Sequence, residues 1–124
     1  MTQNQDPAVH EISVDEFDEF IENHETLVIL DVREPAEHAA AHIPRSVNVP
    51  LDLLAAAATA GTPTTNPALA GAREKTIVIY CADGSTSRKA VALLQARGFE
   101  RVYCLAGGLA HWRAAGQAVI AEDA

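Results

Sequence analysis

The stretch from Thr76 to Arg97, TIVIYCADGSTSRKAVALLQAR, constrains the fold more than any other part of the chain. Residues Ile77 to Tyr80 form a short apolar run rich in β-branched residues, which is typical of a central strand in a parallel sheet. Apolar residues then recur at helical spacing until Gly98, which stands where a helix-capping glycine is expected. The pattern predicts a strand, a polar loop and a helix. It also places Cys81 at the strand's carboxyl end, where open α/β sheets bind their ligands.

The loop that follows Cys81 favours a sulfur anion. Gly84 permits a positive φ or a close backbone approach, and the hydroxyls and backbone N–H groups after it can point at one centre. The next helix presents partial positive charge at its start, where Arg88 and Lys89 add two cations. A lone cysteine is more often a buried structural residue, but this loop favours a reactive one. We therefore predict Cys81 as the catalytic residue, with these substrate-binding residues after it: Ala82, Asp83, Gly84, Ser85, Thr86, Ser87 and Arg88.

The composition is that of a single globular domain. The chain has 124 residues, of which 48% are hydrophobic, enough for a core without metals or disulfides. We expect a flexible tail at residues 1–10 and one domain at residues 11–121. No run of about 20 apolar residues and no basic, apolar leader is present, so a cytoplasmic location is expected. Cys81 and Cys104 are therefore predicted to remain free thiols.

The charge of the chain excludes some classes of partner. A net charge of −8 disfavours binding to nucleic acid or to an anionic membrane surface. Residues 1–72 carry 12 acidic and 2 basic side chains, whereas residues 73–124 carry 5 and 7. The half that contains Cys81 is therefore the better suited to a small anion, although most of these charges are explained equally well as solvated helix faces.

The rest of the chain alternates between helical and strand patterns. Helices are predicted at residues 13–23, 35–41, 51–60 and 109–115, and strands at residues 27–32, 46–49 and 101–105. Residues 61–72, rich in Gly, Pro and Thr, are predicted to be a connecting loop. Strands that alternate with helices indicate an α/β domain with a largely parallel sheet.

Several single residues invite a functional interpretation. Asp31 ends a predicted strand and needs a partner, for which Arg33 is the nearest candidate; exposure at the strand end explains this carboxylate equally well. His38 and His42 are four residues apart beside two glutamates, but no further metal-binding pattern supports a metal site, and surface or loop-fixing histidines are the favoured interpretation. Cys104 lies in the middle of a predicted strand and is expected to be buried and unreactive.

Three segments of the chain resemble the rhodanese-like sulfurtransferase family: LVILDVREPAEHAAAHIPRSVNVPL, IVIYCADGSTSRKA and LAGGLAHW. The resemblance covers residues 12–120. It implies a single domain with a central, mostly parallel five-stranded sheet and helices on both faces. Two features depart from the family pattern. Ala41 and Arg45 replace glycines around His-Ile-Pro. In the family's Cys-x-x-Gly-x-Arg loop, Thr86 stands at the arginine position, and Arg88 follows two residues later.

The resemblance also implies a reaction. Cys81 would take the outer sulfur of thiosulfate or another small anionic donor, hold it as a persulfide, and pass it to cyanide, a thiol or a protein acceptor. Loop N–H groups and Arg88 would bind the anion, Asp31 and Arg33 would support the site, and no metal or organic cofactor is needed. Two alternatives stay open: a non-catalytic or regulatory sulfur-relay module, and a cysteine-dependent phosphatase or arsenate reductase. The last class uses Cys-x5-Arg, whereas this chain has Cys-x6-Arg. The sequence does not specify an oligomeric state.

Overall fold

Strands and helices alternate along the described part of the chain in a computed structural model, which comprises residues 11–23, 26–58, 66, 69 and 72–121. The predicted α/β fold is confirmed, with five strands and five helices in these residues. The elements in chain order are β1 Glu11–Ile12, α1 Val14–Asn23, β2 Val28–Asp31, α2 Pro35–Ala40, β3 Val47–Asn48, α3 Leu51–Ala57, β4 Thr76–Tyr80, α4 Ser87–Ala96, β5 Arg101–Leu105 and α5 Gly108–Ala114. None of the described helices is long and apolar enough to cross a membrane.

The sheet has the strand order β1-β5-β4-β2-β3, and all four strand pairs are parallel. Strand β4 is therefore the central strand, as its apolar sequence predicts. Asp31 at the end of β2 lies opposite Tyr80 at the end of β4. Because parallel strands end at the same edge of a sheet, the segments that follow β2 and β4 meet there.

The alternating side chains of β4 point into two separate cores. Ile77 and Ile79 pack with residues of α3 and α4, whereas Val78 and Tyr80 pack with residues of α1 and α5. All four are completely buried, and each large aliphatic side chain buried in this way contributes about 1.5–3 kcal/mol. Trp112 of α5 is buried in the second core. The helices thus cover both faces of the sheet and hold β4 rigidly between them.

Some boundaries differ from the sequence predictions. Strand β1 was not predicted, because two residues carry no periodicity and this strand exists only through its pairing with β5. Helix α3 was predicted to reach Ala60 but ends at Ala57, whose carbonyl accepts a hydrogen bond from the Asn66 N–H at 2.9 Å. The predicted tail at residues 1–10 and most of the predicted loop at residues 61–72 lie outside the described residues.

Candidate active site

Cys81 is the first residue beyond β4, at the carboxyl edge of the sheet. The residue is 3% exposed, and its Sγ accepts a hydrogen bond from the backbone N–H of Gly84 at 3.0 Å. The loop therefore turns back on the sulfur within three residues. An N–H directed at sulfur is the arrangement that stabilises a thiolate or a persulfide anion.

Two glycines at the start of α5 hold this loop in place. Gly84 has φ +96°, and a Cβ on it would lie 3.1 Å from the Gly107 nitrogen. A Cβ on Gly108 would collide with the Cys81 carbonyl oxygen. The N–H of Leu109 donates to the Cys81 carbonyl at 2.8 Å, and the N–H of Ala110 donates to the Ala82 carbonyl at 3.0 Å. The paired glycines stand in the LAGGLAHW segment just before the predicted helix at residues 109–115, and their contact with the Cys81 loop was not predicted.

The loop hydroxyls do not all converge on the sulfur, contrary to the sequence prediction. The Ser85 N–H and hydroxyl donate to Asp83 Oδ1 at 3.0 and 2.8 Å, and these hydrogen bonds lower the pKa of the exposed Asp83 carboxyl. The buried Ser87 hydroxyl donates to the Gly84 carbonyl at 3.2 Å. Of the three hydroxyl-bearing residues in this loop, only Thr86 lines the cavity that contains Cys81. The two serine hydroxyls thus stabilise the loop conformation, and the hydrogen bond to the Cys81 sulfur comes from the backbone N–H of Gly84.

The structure also keeps Arg88 away from Cys81. The Arg88 side chain is 58% exposed and pairs with Glu11, with Nη2 2.8 Å from Oε2. It borders a neighbouring depression on the far side of the loop. Ser87 and Ala90 point into the core, so Arg88 and Lys89 between them face solvent. Neither cation lines the Cys81 cavity; the sequence reasoning placed Arg88 among the anion-binding residues.

The cavity above Cys81 has a volume of about 480 Å³, within the range of small-molecule sites. Three segments form it: the residues after β2, the start of α3, and the Cys81 loop. Its described lining residues are Val32, Arg33, Glu34, Glu37, Leu51, Asp52, Cys81, Ala82, Asp83 and Thr86. The contributions of Glu34, Glu37 and Asp52 were not predicted from the sequence, because they depend on the way that β2 and β4 end side by side.

Arg33 and Asp31 form a buried ion pair beside this cavity, as the sequence suggested. The Arg33 Nε donates to Asp31 Oδ1 at 2.9 Å and its Nη2 donates to Oδ2 at 2.7 Å. Nη2 also donates to the Ala41 carbonyl at 2.6 Å. Burial raises the pKa of Asp31, but the Arg33 hydrogen bonds outweigh it and the net pKa is below the ordinary value. The pair fixes the chain after β2 against the start of the next loop.

His38 and Tyr80 complete this polar network. The His38 Nδ1 donates to Asp31 Oδ2 at 2.9 Å, and the Tyr80 hydroxyl donates to the same oxygen at 3.2 Å. Burial raises the pKa of Tyr80 to about 12, so the hydroxyl remains a donor at neutral pH. His42 stacks on His38 at 3.8 Å between ring centroids and donates to its carbonyl. The histidines therefore fix the loop, and no metal-binding cluster occurs among the described residues.

Cys104 occupies the interior of β5 and has no exposed surface. Burial, followed by the nearby negative charge of Glu11, raises the pKa of its thiol to about 11. The predicted burial of Cys104 is confirmed, and its low reactivity stays a prediction.

Known proteins with a similar sequence include a curated sulfurtransferase from Allochromatium vinosum. It is 29% identical over 115 residues, which make up 93% of this chain and 98% of the relative. Other curated relatives are longer, and the chain spans 46% and 51% of two of them.

Solved structures show the same architecture. A rhodanese-related protein from Thermoplasma volcanium superposes with a TM-score of 0.69 at 27% identity. The superposition covers 90% of this chain and 97% of that protein. A protein from Rhodopseudomonas palustris, described as a possible tyrosine phosphatase, has a TM-score of 0.81 at 24% identity and covers 97% of this chain and 99% of that chain. At that identity the likeness shows the fold alone. The model of the rhodanese-like domain matches residues 13–115, and the chain belongs to the rhodanese-like domain family.

Proposed function

We propose that the protein is a sulfurtransferase that carries sulfane sulfur as a persulfide on Cys81. The observation that carries this proposal is the position of the Cys81 sulfur at the end of the central strand, in contact with a cavity and 3.0 Å from the Gly84 N–H. The family of the chain and the sulfurtransferase among its relatives support the same reaction class.

The proposed reaction has two steps. After the Cys81 thiol loses its proton to solvent, its thiolate attacks the outer sulfur of thiosulfate. A new S–S bond to Cys81 forms, the bond to the sulfonate sulfur breaks, and sulfite leaves with the electron pair. A cyanide ion or an acceptor thiolate then attacks the outer sulfur of the persulfide. The electron pair of the broken S–S bond returns to Cys81, which regains its starting state.

The chain's own residues supply the support for this chemistry. The Gly84 N–H donates to the sulfur that becomes the inner atom of the persulfide, and Thr86 offers a neutral hydroxyl in the cavity. Arg33 is a positioning residue, because its guanidinium is held by Asp31 and Ala41 while its side chain borders the cavity. The Gly84 N–H and the Arg33 guanidinium are held in place before substrate arrives, which lowers the reorganisation that the reaction requires.

Two observations favour a second candidate function, that of a non-catalytic sulfur-relay module. Thr86 stands at the loop position where the family pattern has arginine, and Arg88 is paired with Glu11 outside the cavity. The same two observations disfavour a phosphatase, because transfer of a phosphoryl group depends on cations that neutralise its oxygens.

Parallel assays of thiosulfate:cyanide transfer and aryl phosphate hydrolysis distinguish the three functions. We expect sulfur transfer that is lost in Cys81→Ser and retained in Cys104→Ala, and no hydrolysis of the phosphate ester. Phosphate hydrolysis without sulfur transfer would establish the phosphatase instead. A folded protein that shows neither reaction, even with excess donor, would contradict catalysis and favour the relay module.

A further inference from the structure

The cavity that leads to Cys81 has a strongly acidic wall. Four of its ten described lining residues are carboxylates, contributed by three different segments: Glu34 and Glu37 at the start of α2, Asp52 in the first turn of α3, and Asp83 in the Cys81 loop. All four are exposed. The wall is therefore not one local run of acidic sequence, because the fold assembles it around a single buried sulfur.

No free cation balances this wall among the described lining residues. Arg33 is the one basic side chain among the described residues that border the cavity. Its side chain is only 8% exposed, and its guanidinium is neutralised by two hydrogen bonds to the buried Asp31 carboxylate. Arg88 is paired with Glu11 on the other side of the loop. A charged molecule that approaches Cys81 thus passes four carboxylates, and the described residues that line the cavity place no unpaired positive charge beside them.

This charge arrangement selects among substrates of the proposed reaction. A thiosulfate dianion is repelled at the wall, and so is any acceptor that carries a carboxylate. A thiol that carries an ammonium group is attracted by the wall, because opposite charges in a cleft raise the local concentration of the ligand. A persulfide on Cys81 adds one more negative charge at the base of the cavity and strengthens this preference.

We propose that the Cys81 cavity is specific for positively charged thiols, which serve as its sulfur acceptors. This inference rests on the proposed sulfurtransferase function and names the substrate class of the same site. In the transfer step, the thiolate of the aminothiol attacks the outer sulfur of the Cys81 persulfide. The bond between that sulfur and Cys81 breaks, Cys81 recovers the electron pair as a thiolate, and the acceptor leaves as an aminopersulfide.

Discharge of a preformed persulfide tests the inference without involving the donor. The wild-type protein is loaded with excess thiosulfate or inorganic polysulfide, desalted, and checked for one added sulfur by intact mass. It is then mixed with cysteamine, 2-mercaptoethanol or 3-mercaptopropionate, which have similar sizes and carry positive, no and negative charge. The attacking thiolates of these three compounds carry net charges of zero, −1 and −2. We therefore expect added salt to leave discharge of the persulfide by cysteamine nearly unchanged, to accelerate discharge by 2-mercaptoethanol, and to accelerate discharge by 3-mercaptopropionate most.

A variant comparison removes differences in the intrinsic reactivity of the three thiols. The triple variant Glu34→Gln, Glu37→Gln and Asp52→Asn retains the cavity but removes three charges, and Glu100→Gln before β5 at the opposite edge of the sheet is the matched control. At low ionic strength we expect the ratio of cysteamine to 3-mercaptopropionate rates to fall about tenfold in the triple variant. The ratio should be unchanged in Glu100→Gln.

The outcomes separate this inference from the function on which it rests. If the folded wild-type protein takes up no sulfur from either donor, the proposed function fails. If sulfur is taken up but the triple variant and Glu100→Gln give the wild-type ratio, the acidic wall has no role and this inference is overturned. A faster discharge by 3-mercaptopropionate than by cysteamine at low salt, after correction for their rates with a neutral disulfide in solution, also overturns it.

Discussion

Cys81 and Cys104 lie on neighbouring segments of the sheet and belong to the same hydrophobic core, yet their surroundings are opposite. Cys104 pairs in register with Ile79, so Cys81 lies two residues further toward the carboxyl edge. This difference of two residues places the Cys104 thiol inside a strand. It places Cys81 at a cavity, where its sulfur accepts a hydrogen bond from the Gly84 N–H and its carbonyl accepts one from the start of α5. The comparison teaches that position relative to the strand ends, and not the cysteine itself, decides which thiol is available for chemistry.

The largest expected difference is in alkylation of the two thiols by iodoacetamide. In the native protein at pH 8 we expect Cys81 to react at least about a thousandfold faster than Cys104, because Cys104 reacts only when the core opens. Peptide mapping of the labelled protein measures both rates. In denaturant the two rates should become similar; a native Cys104 that reacts as fast as Cys81 would break the comparison.

The raised pKa of Cys104, about 11, also predicts a pH effect on stability. Its folded-state pKa lies above the ordinary value of 9.0, so the protonated thiol stabilises the fold fully below pH 9. This contribution is lost as the pH rises through about 11. Wild type should therefore lose stability relative to Cys104→Ala between these pH values, as measured by urea unfolding. Parallel pH profiles for the two proteins would contradict the burial argument.

The next effect concerns the Asp31–Arg33 ion pair, which lies beside the Cys81 cavity and not beside Cys104. Arg33→Ala leaves the buried Asp31 carboxylate without its main partner, and we expect a loss of about 3–5 kcal/mol in unfolding free energy together with lower sulfur transfer. Arg88→Ala is the matched control, because its exposed pair with Glu11 contributes at most about 1 kcal/mol. An unchanged melting temperature and full turnover in Arg33→Ala would show that the pair is dispensable.

A smaller effect is expected from Gly84→Ala, which tests the hydrogen bond from the Gly84 N–H to the Cys81 sulfur. The new Cβ meets backbone atoms of Gly107 and the positive φ is strained, so we expect a loss of about 1–3 kcal/mol in stability and a slower persulfide formation. Gly98→Ala is a matched control with φ +91°, because its Cβ meets only the flexible Arg73 side chain. Equal sulfur loading rates in the two variants would argue against a role for the Gly84 N–H.

The smallest effects are expected where the loop departs from its family pattern. Thr86 borders the cavity and Arg88 does not, so Thr86→Arg should lower the KM for thiosulfate about fivefold by adding a partly screened cation. Arg88→Ala should raise that KM by less than about twofold. Steady-state kinetics with thiosulfate and cyanide measures both. Loss of activity in Arg88→Ala with no change in Thr86→Arg would place the anion site at Arg88.

The features that sequence reasoning predicted correctly are local. The β4 strand, the polar loop and α4 follow one another within 22 residues, so their periodicity and the glycine after the helix are visible in the sequence. The Asp31–Arg33 pair was suggested because its partners are two residues apart. The buried state of Cys104 followed from its apolar neighbours.

The features that sequence reasoning missed depend on contacts between distant segments. Strand β1 exists through its pairing with β5, and Arg88 turns to Glu11, 77 residues earlier in the chain. The acidic wall joins residues of α2 and α3 with the Cys81 loop across the carboxyl edge of the sheet. No local sequence pattern specifies such long-range contacts. The acidic wall follows from the parallel pairing of β2 with β4, which brings the segments after the two strands together.

Localisation of the transferred sulfur tests the central claim most directly. The native protein is incubated with thiosulfate, the intact mass is measured, and the persulfide is trapped by alkylation before peptide mapping. We predict one added sulfur atom, located on the peptide that contains Cys81, removed by cyanide and absent in Cys81→Ser. Sulfur on the Cys104 peptide, or sulfur uptake that persists in Cys81→Ser, would contradict the account.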